Sequence, residues 1–153
     1  MLISKTPLRI SFVGGGSDLQ SLYGHSKEGG AVVTTAINKY VYVTVNKKFD
    51  NNIRISYSKT EEVENISEIE HPIVREVLKK LIISGVEITS IADVPSKGTG
   101  LGSSSAFTVG LLNALHAYQQ KFISAYDLAN MACTIEINIL KEPIGKQDQF
   151  GTA

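Results

Sequence analysis

The segment 93–107 contains the residues best suited to chemistry. Its alternating glycines and consecutive serines are Gly98, Gly100, Gly102, Ser103, Ser104 and Ser105. An alternating apolar segment precedes them and a long apolar run follows, which predicts a strand, a glycine loop and the N-terminus of a helix. The first backbone N–H groups of a helix have no intrahelical partners and lie at the positive end of its dipole, where an anion is stabilised. The segment therefore predicts a phosphate-binding loop.

The same residues also suit an ordinary turn, because glycine tolerates positive φ and serine caps helices. We favour phosphate binding because three alternating glycines exceed what a turn needs, and Lys97 adds a cation beside them. The spacing fits neither the Walker loop, which needs Gly-Lys-Ser/Thr, nor GxGxxG, whose third glycine comes later. A different phosphate-binding loop is required.

Two acidic residues downstream interrupt their surroundings. Glu136 projects from the edge of an apolar helical stripe, where a carboxylate is costly without a partner. A surface glutamate with its carboxylate in water explains the pattern equally well. Asp148 follows the loop 143–145, and its immediate neighbours favour a simple helix cap.

A second glycine cluster lies near the N-terminus. In the segment 5–13, Leu8, Ile10 and Phe12 alternate with Arg9 and Ser11, which predicts a half-buried strand with Arg9 facing away from the apolar set. The residues that follow it are Gly14, Gly15, Gly16, Ser17 and Asp18. They form either a flexible loop or a backbone that approaches a polar ligand closely, and the sequence leaves both open.

Local patterns predict the elements that position these residues. Residues 31–45 favour strands with a bend at 38–39, and 53–57 alternates again, which predicts an antiparallel meander. Residues 58–70 are interpreted as a polar surface connection. Further elements are a helical turn at 19–23, a helix over 71–84 ended by Gly85, a strand over 86–92, a buried helix over 103–119 and a helix over 124–140 capped by Ser124 and Asp127.

The composition indicates a single soluble domain in a reducing cytoplasm. The 153 residues are 42% hydrophobic, and 15 basic residues balance 15 acidic ones, so no basic surface for nucleic acid is expected. Cys133 is the single cysteine, and no apolar run is long enough for a signal peptide or a membrane span. The chain ends directly after a glycine loop, from which we expect a further part beyond residue 153.

Three segments, in order, resemble the GHMP kinases, the superfamily of galactokinase, homoserine kinase and mevalonate kinase. The stretch 95–106 is similar to the phosphate loop of that family, and its Gly-Leu-Gly-Ser-Ser core is specific. The stretch 6–18 resembles the N-terminal sugar-side motif, and 143–150 resembles the segment with the catalytic aspartate. Within the superfamily, Gly-Gly-Gly-Ser-Asp and Gly-Lys-Gln-Asp-Gln look most like heptose phosphate kinases. Galactose is disfavoured, because galactokinases have Gly-Glu-His-Thr-Asp where this chain has Gly-Gly-Gly-Ser-Asp.

The resemblance implies a role for each matching residue. Asp148 would accept or orient the proton of the attacking hydroxyl, and Arg9 would keep that carboxylate ionised while stabilising the transferred phosphoryl group. Ser104 and Glu136 would bind Mg²⁺. The ATP phosphates would contact Pro95, Lys97, Gly98, Gly100, Leu101, Gly102, Ser103, Ser104 and Ser105. The sugar would contact Gly15, Gly16, Ser17 and Asp18.

The implied fold is a two-layer α+β domain of the ribosomal protein S5 domain 2-like class with a left-handed βαβ unit. It would span residues 1–153 as the N-terminal, ATP-binding domain of a longer kinase, without its C-terminal domain. The implied reaction transfers the γ-phosphoryl group of ATP to a sugar or sugar phosphate such as D-glycero-D-manno-heptose 7-phosphate. The expected partner is this small molecule, with no nucleic acid and no membrane, and a homodimer is left open.

Two other functions compete with a kinase. The stretch 102–106 differs from the G-x-S-x-G nucleophile elbow only at its last residue, which indicates a serine hydrolase using Ser104 as an alternative. Such an enzyme needs an aspartate and then a histidine after the serine, and only His116 follows, inside the next apolar helix. The other alternative hypothesis is a phosphate-binding domain without catalysis.

Overall fold

The structure is a computed structural model that describes residues 1–95 and 99–153. A five-stranded sheet with the strand order β1-β2-β5-β3-β4 forms one layer. Its strands are β1 (Leu2–Val13), β2 (Val33–Lys47), β3 (Ile53–Ser56), β4 (Thr60–Val63) and β5 (Val86–Ala92). All neighbouring strands are antiparallel except β3 and β5, which are parallel.

Helices form the second layer of the domain. They are α1 (Gln20–Tyr23), a 3₁₀ turn (Ile66–Glu68), α2 (Pro72–Leu81), α3 (Ser103–Tyr118), α4 (Ala125–Cys133), a π-helical segment (Thr134–Ile139) and α5 (Gln147–Thr152). This is the two-layer α+β arrangement expected from the sequence. None of the helices within 1–95 and 99–153 is long and apolar enough to cross a membrane.

Helix α3 is the centre of the core, as its nearly continuous apolar sequence predicts. Leu111, Leu112 and Leu115 are fully buried, and α3 packs on β1 and β2 as well as on helices α2, α4 and α5. A helix that is apolar on most of its circumference needs partners on several sides. Since the glycine loop leads directly into α3, the first turn of this helix is held by the rigid core.

The predicted antiparallel meander is wrong, because β5 lies between β2 and β3. Ile88 of β5 pairs with Val45 of β2 on one side and with Ile55 of β3 on the other. The chain reaches β5 from β3 through β4 and α2, which is how two parallel neighbours can be connected. The segment 31–45 is also one continuous strand, with a shift in the β1–β2 register where a bend was expected at 38–39.

Three local expectations also need correction. The segment 58–70 contains β4, and Glu61 on that strand is buried, so it is more than a surface connection. Helix α2 ends at Leu81, and Ile82 after it takes the left-handed conformation, so the helix stops before Gly85 is reached. Ile10 and Phe12 are 37% and 70% exposed. The β1–β2 register shifts between Pro7 and Leu8. After this shift Arg9 is the buried residue and Ile10 is exposed, the reverse of the predicted alternation.

Candidate active site

An ion pair between β1 and α5 lies at the centre of the candidate site. Arg9 donates from Nε to Oδ1 of Asp148 over 2.9 Å, and its Nη2 contacts the same oxygen. The side chains of Arg9 and Asp148 are 8% and 22% exposed. Lys146, rather than Asp148, is the N-cap residue of α5, so the simple capping role is wrong for Asp148. The Asp148 carboxylate is instead held by Arg9, and it is the more exposed member of the ion pair.

The glycine loop is hydrogen-bonded to Arg9. The backbone N–H of Arg9 donates to the Leu101 carbonyl over 3.2 Å, and its Nη1 donates to the Gly100 carbonyl over 2.7 Å. Gly100 and Gly102 have φ values of +64° and +73°, which favour glycine. A Cβ atom at Gly102 would lie 3.5 Å from Cγ of Asp148. The loop and the carboxylate are therefore immediate neighbours.

The predicted strand, loop and helix order is confirmed at this loop. Helix α3 begins at Ser103 after Gly102, so the N–H groups of its first turn lie beside the Arg9–Asp148 pair. Pro95 and Ser104 are exposed. Lys97 and Gly98, which were also assigned to the phosphates, lie outside the described residues. A helix N-terminus is a place where anions are stabilised, and phosphate binding by this loop stays a prediction.

The Glu136 side chain is buried beneath the first turn of α3. It is 1% exposed, and its carboxylate accepts hydrogen bonds from Ser105 Oγ at 2.8 Å and Thr108 Oγ1 at 2.7 Å. Gln149 Nε2 contacts the same carboxylate. Burial raises the pKa of the Glu136 carboxyl, while the hydrogen bonds from Thr108, Gln149 and Ser105 act in the opposite direction. The alternative of a surface glutamate is wrong.

A π-helical segment carries Glu136. The Leu140 N–H donates to the Ile135 carbonyl over 2.9 Å, five residues back instead of four. The wider turn follows α4 directly, and π-helical turns occur frequently at functional sites. Because the wider turn alters the angular positions of the side chains, the sequence stripe placed Glu136 at an edge although it points inward.

The N-terminal glycine loop docks onto the start of α5 through Asp18. The Gly16 N–H donates to Oδ1 of Asp18 over 3.2 Å, and the Gln147 N–H donates to Oδ2 over 2.9 Å. Ser17 Oγ contacts the carbonyls of Gly14 and Ala31 at 2.7 and 2.8 Å. These contacts give Asp18 and Ser17 a role in holding the loop. Their contacts with a sugar stay predictions.

A cleft of about 290 Å³ opens beside the ion pair. Its lining includes Arg9, Ser11, Gly15, Gly100 and Gln147, so it joins both glycine loops and α5. A second cleft is lined by Asp18, Tyr23, Lys146 and Cys133, among others. Burial raises the pKa of the Cys133 thiol to about 11, which makes it a poor nucleophile.

Four residues around the site were not singled out for function from the sequence. Thr108 and Gln149 bind Glu136, and Ser11 and Gln147 line the first cleft. Thr108 carried a usable signal, because it is a polar residue three positions after Ser105 on an apolar helix and therefore shares its face. For Ser11, Gln147 and Gln149, the partner or cleft comes from a distant part of the chain.

A serine hydrolase does not fit this geometry. His116 lies twelve residues beyond Ser104 on the same helix, which separates them by about 18 Å at 1.5 Å per residue. The His116 ring is also buried, with Nδ1 at 2.7 Å from the Leu112 carbonyl. It cannot act as the general base for Ser104.

Comparisons with known proteins show which proteins the chain is similar to. The chain is 32% identical over 162 residues to the D-glycero-alpha-D-manno-heptose 7-phosphate kinase of Campylobacter jejuni, a match covering 96% of this chain and 46% of that protein. A crystal structure of a D-glycero-D-manno-heptose 1-phosphate kinase from Bacteroides thetaiotaomicron matches with a TM-score of 0.85 and 28% identity, covering 97% of this chain and 52% of that one. The chain thus spans about half the length of these relatives.

More distant structures share the fold alone. The galactokinase of Lactococcus lactis, solved with galactose, matches with a TM-score of 0.75 at 18% identity, over 97% of this chain and 41% of that one. The family description "GHMP kinases N terminal domain" matches residues 65–153, which is more than half of the chain and includes the glycine loop, Glu136 and Asp148. The chain therefore belongs to the GHMP kinase family, in its N-terminal domain.

Proposed function

We propose that the protein transfers the γ-phosphoryl group of ATP to a hydroxyl of a sugar or sugar phosphate. The observation that carries the proposal is the Asp148 carboxylate, held by Arg9 against the glycine loop and the start of α3. Phosphoryl transfer needs little covalent chemistry from the protein, so catalysis depends on positioning and on stabilisation of charge. The loop and the first turn of α3 would hold the phosphates at the helix N-terminus.

Asp148 and Arg9 have complementary roles in this proposal. Oδ1 of Asp148 is occupied by the Arg9 guanidinium, and Oδ2 has no hydrogen bond to another described residue. Oδ2 is thus the oxygen that would accept or orient the proton of the attacking hydroxyl. Arg9 fixes the carboxylate and places a permanent positive charge beside the transferred group.

The site can also supply oxygen ligands to a magnesium ion. Ser104 is exposed at the start of α3, and Glu136 lies beneath the same turn with one hydrogen bond on Oε1, which leaves a lone pair. In 1–95 and 99–153, no three His, Cys, Asp or Glu side chains form a cluster that could hold a metal by itself. A hydroxyl and one carboxylate fit Mg²⁺, which is commonly held by one or two carboxylates plus phosphate oxygens. The bound ion would neutralise charge on those phosphates.

The proposed acceptor is D-glycero-D-manno-heptose 7-phosphate, phosphorylated on its anomeric hydroxyl to give the 1,7-bisphosphate. The names of the Campylobacter and Bacteroides relatives, a heptose 7-phosphate kinase and a heptose 1-phosphate kinase, support a heptose phosphate. Because the chain spans about half of their length, we propose that the isolated domain is inactive and that transfer needs the full-length protein.

The test is Asp148→Asn in the full-length protein. It is assayed with Mg-ATP and with the 7-phosphate and the 1-phosphate of D-glycero-D-manno-heptose as acceptors. Loss of the carboxylate should lower kcat by about 10²–10⁴-fold, the usual contribution of a general base. The affinity for Mg-ATP should be retained. Asp127→Asn is the matched control, because Asp127 is an exposed carboxylate in the first turn of α4. It should leave the rate unchanged.

Two results would contradict the proposal in different ways. A wild-type rate in Asp148→Asn would show that Asp148 is not the base. Binding of Mg-ATP by the wild-type protein without transfer to any sugar would favour the non-catalytic phosphate-binding domain.

A further inference from the structure

Two buried oxygen atoms beside the ion pair have no partner in the fold. Within the described residues, only four buried side-chain polar atoms lack a hydrogen bond: Ser11 Oγ, His71 Nδ1, Gln147 Oε1 and Gln149 Oε1. Two of the residues concerned, Ser11 and Gln147, line the same 290 Å³ cleft. Because buried polar groups in folded proteins are almost always paired, this coincidence requires an explanation.

Gly15 lies close to the side chains of both Ser11 and Gln147. A Cβ atom built on Gly15 would lie 3.8 Å from Ser11 Oγ, 3.8 Å from Gln147 Nε2 and 4.0 Å from Gln147 Oε1. These are ordinary contact distances, so the Ser11 hydroxyl and the Gln147 side-chain amide both border the space over the Gly15 backbone. Arg9 and Gly100 line the same cleft, and Asp148 follows Gln147 directly in α5. The oxygens therefore lie next to the residues that we assign to phosphoryl transfer.

The neighbouring side chains that were expected to bind a sugar are already engaged. Asp18 accepts N–H groups on both oxygens, and Ser17 Oγ contacts two backbone carbonyls. Ser11 and Gln147 have no such engagement at the two oxygens concerned. Each of these oxygens can accept a hydrogen bond. A molecule with adjacent hydroxyl groups could donate to both.

We propose that Ser11 and Gln147 are specificity-determining residues that bind hydroxyls of the acceptor sugar next to the hydroxyl that is phosphorylated. This inference rests on the proposed function for the identity of the acceptor class. A site built to accept hydrogen bonds from hydroxyls rejects molecules that lack them, because its buried oxygens are then left unpaired. Ser11 and Gln147 thereby orient the sugar, while Asp148 acts on it.

The experiment uses Ser11→Ala and Gln147→Met in the full-length protein, since both variants remove the polar group with little change in volume. With D-glycero-D-manno-heptose 7-phosphate, KM for the sugar should rise at least tenfold in each variant. The KM for ATP should change less than twofold, because in this proposal the two side chains bind the sugar and not the phosphates of ATP. The controls are Ser56→Ala on β3 and Gln119→Met after α3, which lie outside the cleft and should change neither KM.

Calorimetry of sugar binding in the presence of a non-hydrolysable ATP analogue separates this inference from the proposed function. If the wild-type protein transfers phosphate but the variants keep their KM and Kd for the sugar, the inference is wrong and the kinase remains. If the wild-type protein binds the heptose phosphate without transfer, a tenfold weaker Kd in the variants supports the inference while the proposed reaction fails. Equal losses for sugar and ATP, or no sugar binding by the wild-type protein, overturn it.

Discussion

Asp18 and Gly145 determine how closely the N-terminal loop approaches α5. A Cβ atom on Gly145 would lie 1.9 Å from Oδ2 of Asp18, far inside van der Waals contact. The same oxygen accepts the Gln147 N–H over 2.9 Å. Position 145 therefore excludes every side chain as long as the carboxylate stays in place.

Gly145→Ala should lower the free energy of unfolding by about 1–3 kcal/mol, as expected when a well-packed contact is overfilled. Asp18 would have to move, and the bond to Gln147 would be lost with it. Urea unfolding of the variant measures the effect. Asp18→Ala provides the control, since Gly145→Ala should cost much less in that background. Equal costs in both backgrounds would show that the contact is unimportant.

Helix α3, the π-helical segment and α5 are joined by the hydrogen bonds of one buried carboxylate, Glu136. Helix α3 supplies two hydroxyls to a carboxylate on the neighbouring π-helical segment, and α5 supplies an amide. Because burial of a carboxylate is costly without such donors, the three elements stabilise one another only when all are in place.

Thr108→Val should destabilise the protein by about 1–3 kcal/mol, because it keeps the shape of the side chain but leaves Oε1 of Glu136 without its donor. Thr134→Val is the matched control, since the Thr134 hydroxyl donates to a helix carbonyl, that of Asn130, near the surface. That change should stay within about 0.5 kcal/mol. Urea unfolding compares the two, and an equal effect of both variants would contradict the role of Thr108.

The sequence predicts elements well where a local pattern determines them. The strand over 86–92 and the start of α3 at Ser103 have the predicted bounds, because alternation and helical spacing are local properties. The pairing of β5 with both β2 and β3 is not local, so it was missed. In the site, motifs identified Arg9 and Asp148, whereas Gln149 gains its role only through a buried partner from another helix.

A half-buried histidine joins the sheet to helices α2 and α3. His71 precedes α2, and its ring contacts Tyr57 after β3 and Phe107 on α3 with centroids 4.7 and 5.2 Å apart. Burial lowers the pKa of His71, while the nearby charge of Glu61 acts in the opposite direction. The folded protein therefore favours the neutral ring.

The free energy of unfolding should consequently fall as the pH drops through the ordinary histidine pKa of 6.5. Below that value the unfolded chain takes up a proton that the folded chain resists, so stability is fully present only above it. His71→Phe should reduce this loss between pH 7.5 and 5.5 in urea unfolding. His25→Phe, at an exposed position, should preserve the wild-type slope. Identical slopes for wild type and His71→Phe would exclude His71 as the cause.

The hydrogen bond between Arg9 and Asp148 joins residues 139 positions apart. At a synthesis rate of about 5–20 residues per second, Arg9 emerges from the ribosome roughly 7–28 s before Asp148. The carbonyl of Gly100 that also binds Arg9 emerges earlier, so a nascent chain can close the glycine loop on β1 before the carboxylate exists. The order of translation thus allows the contact between Arg9 and the glycine loop first and adds the proposed base, Asp148, last.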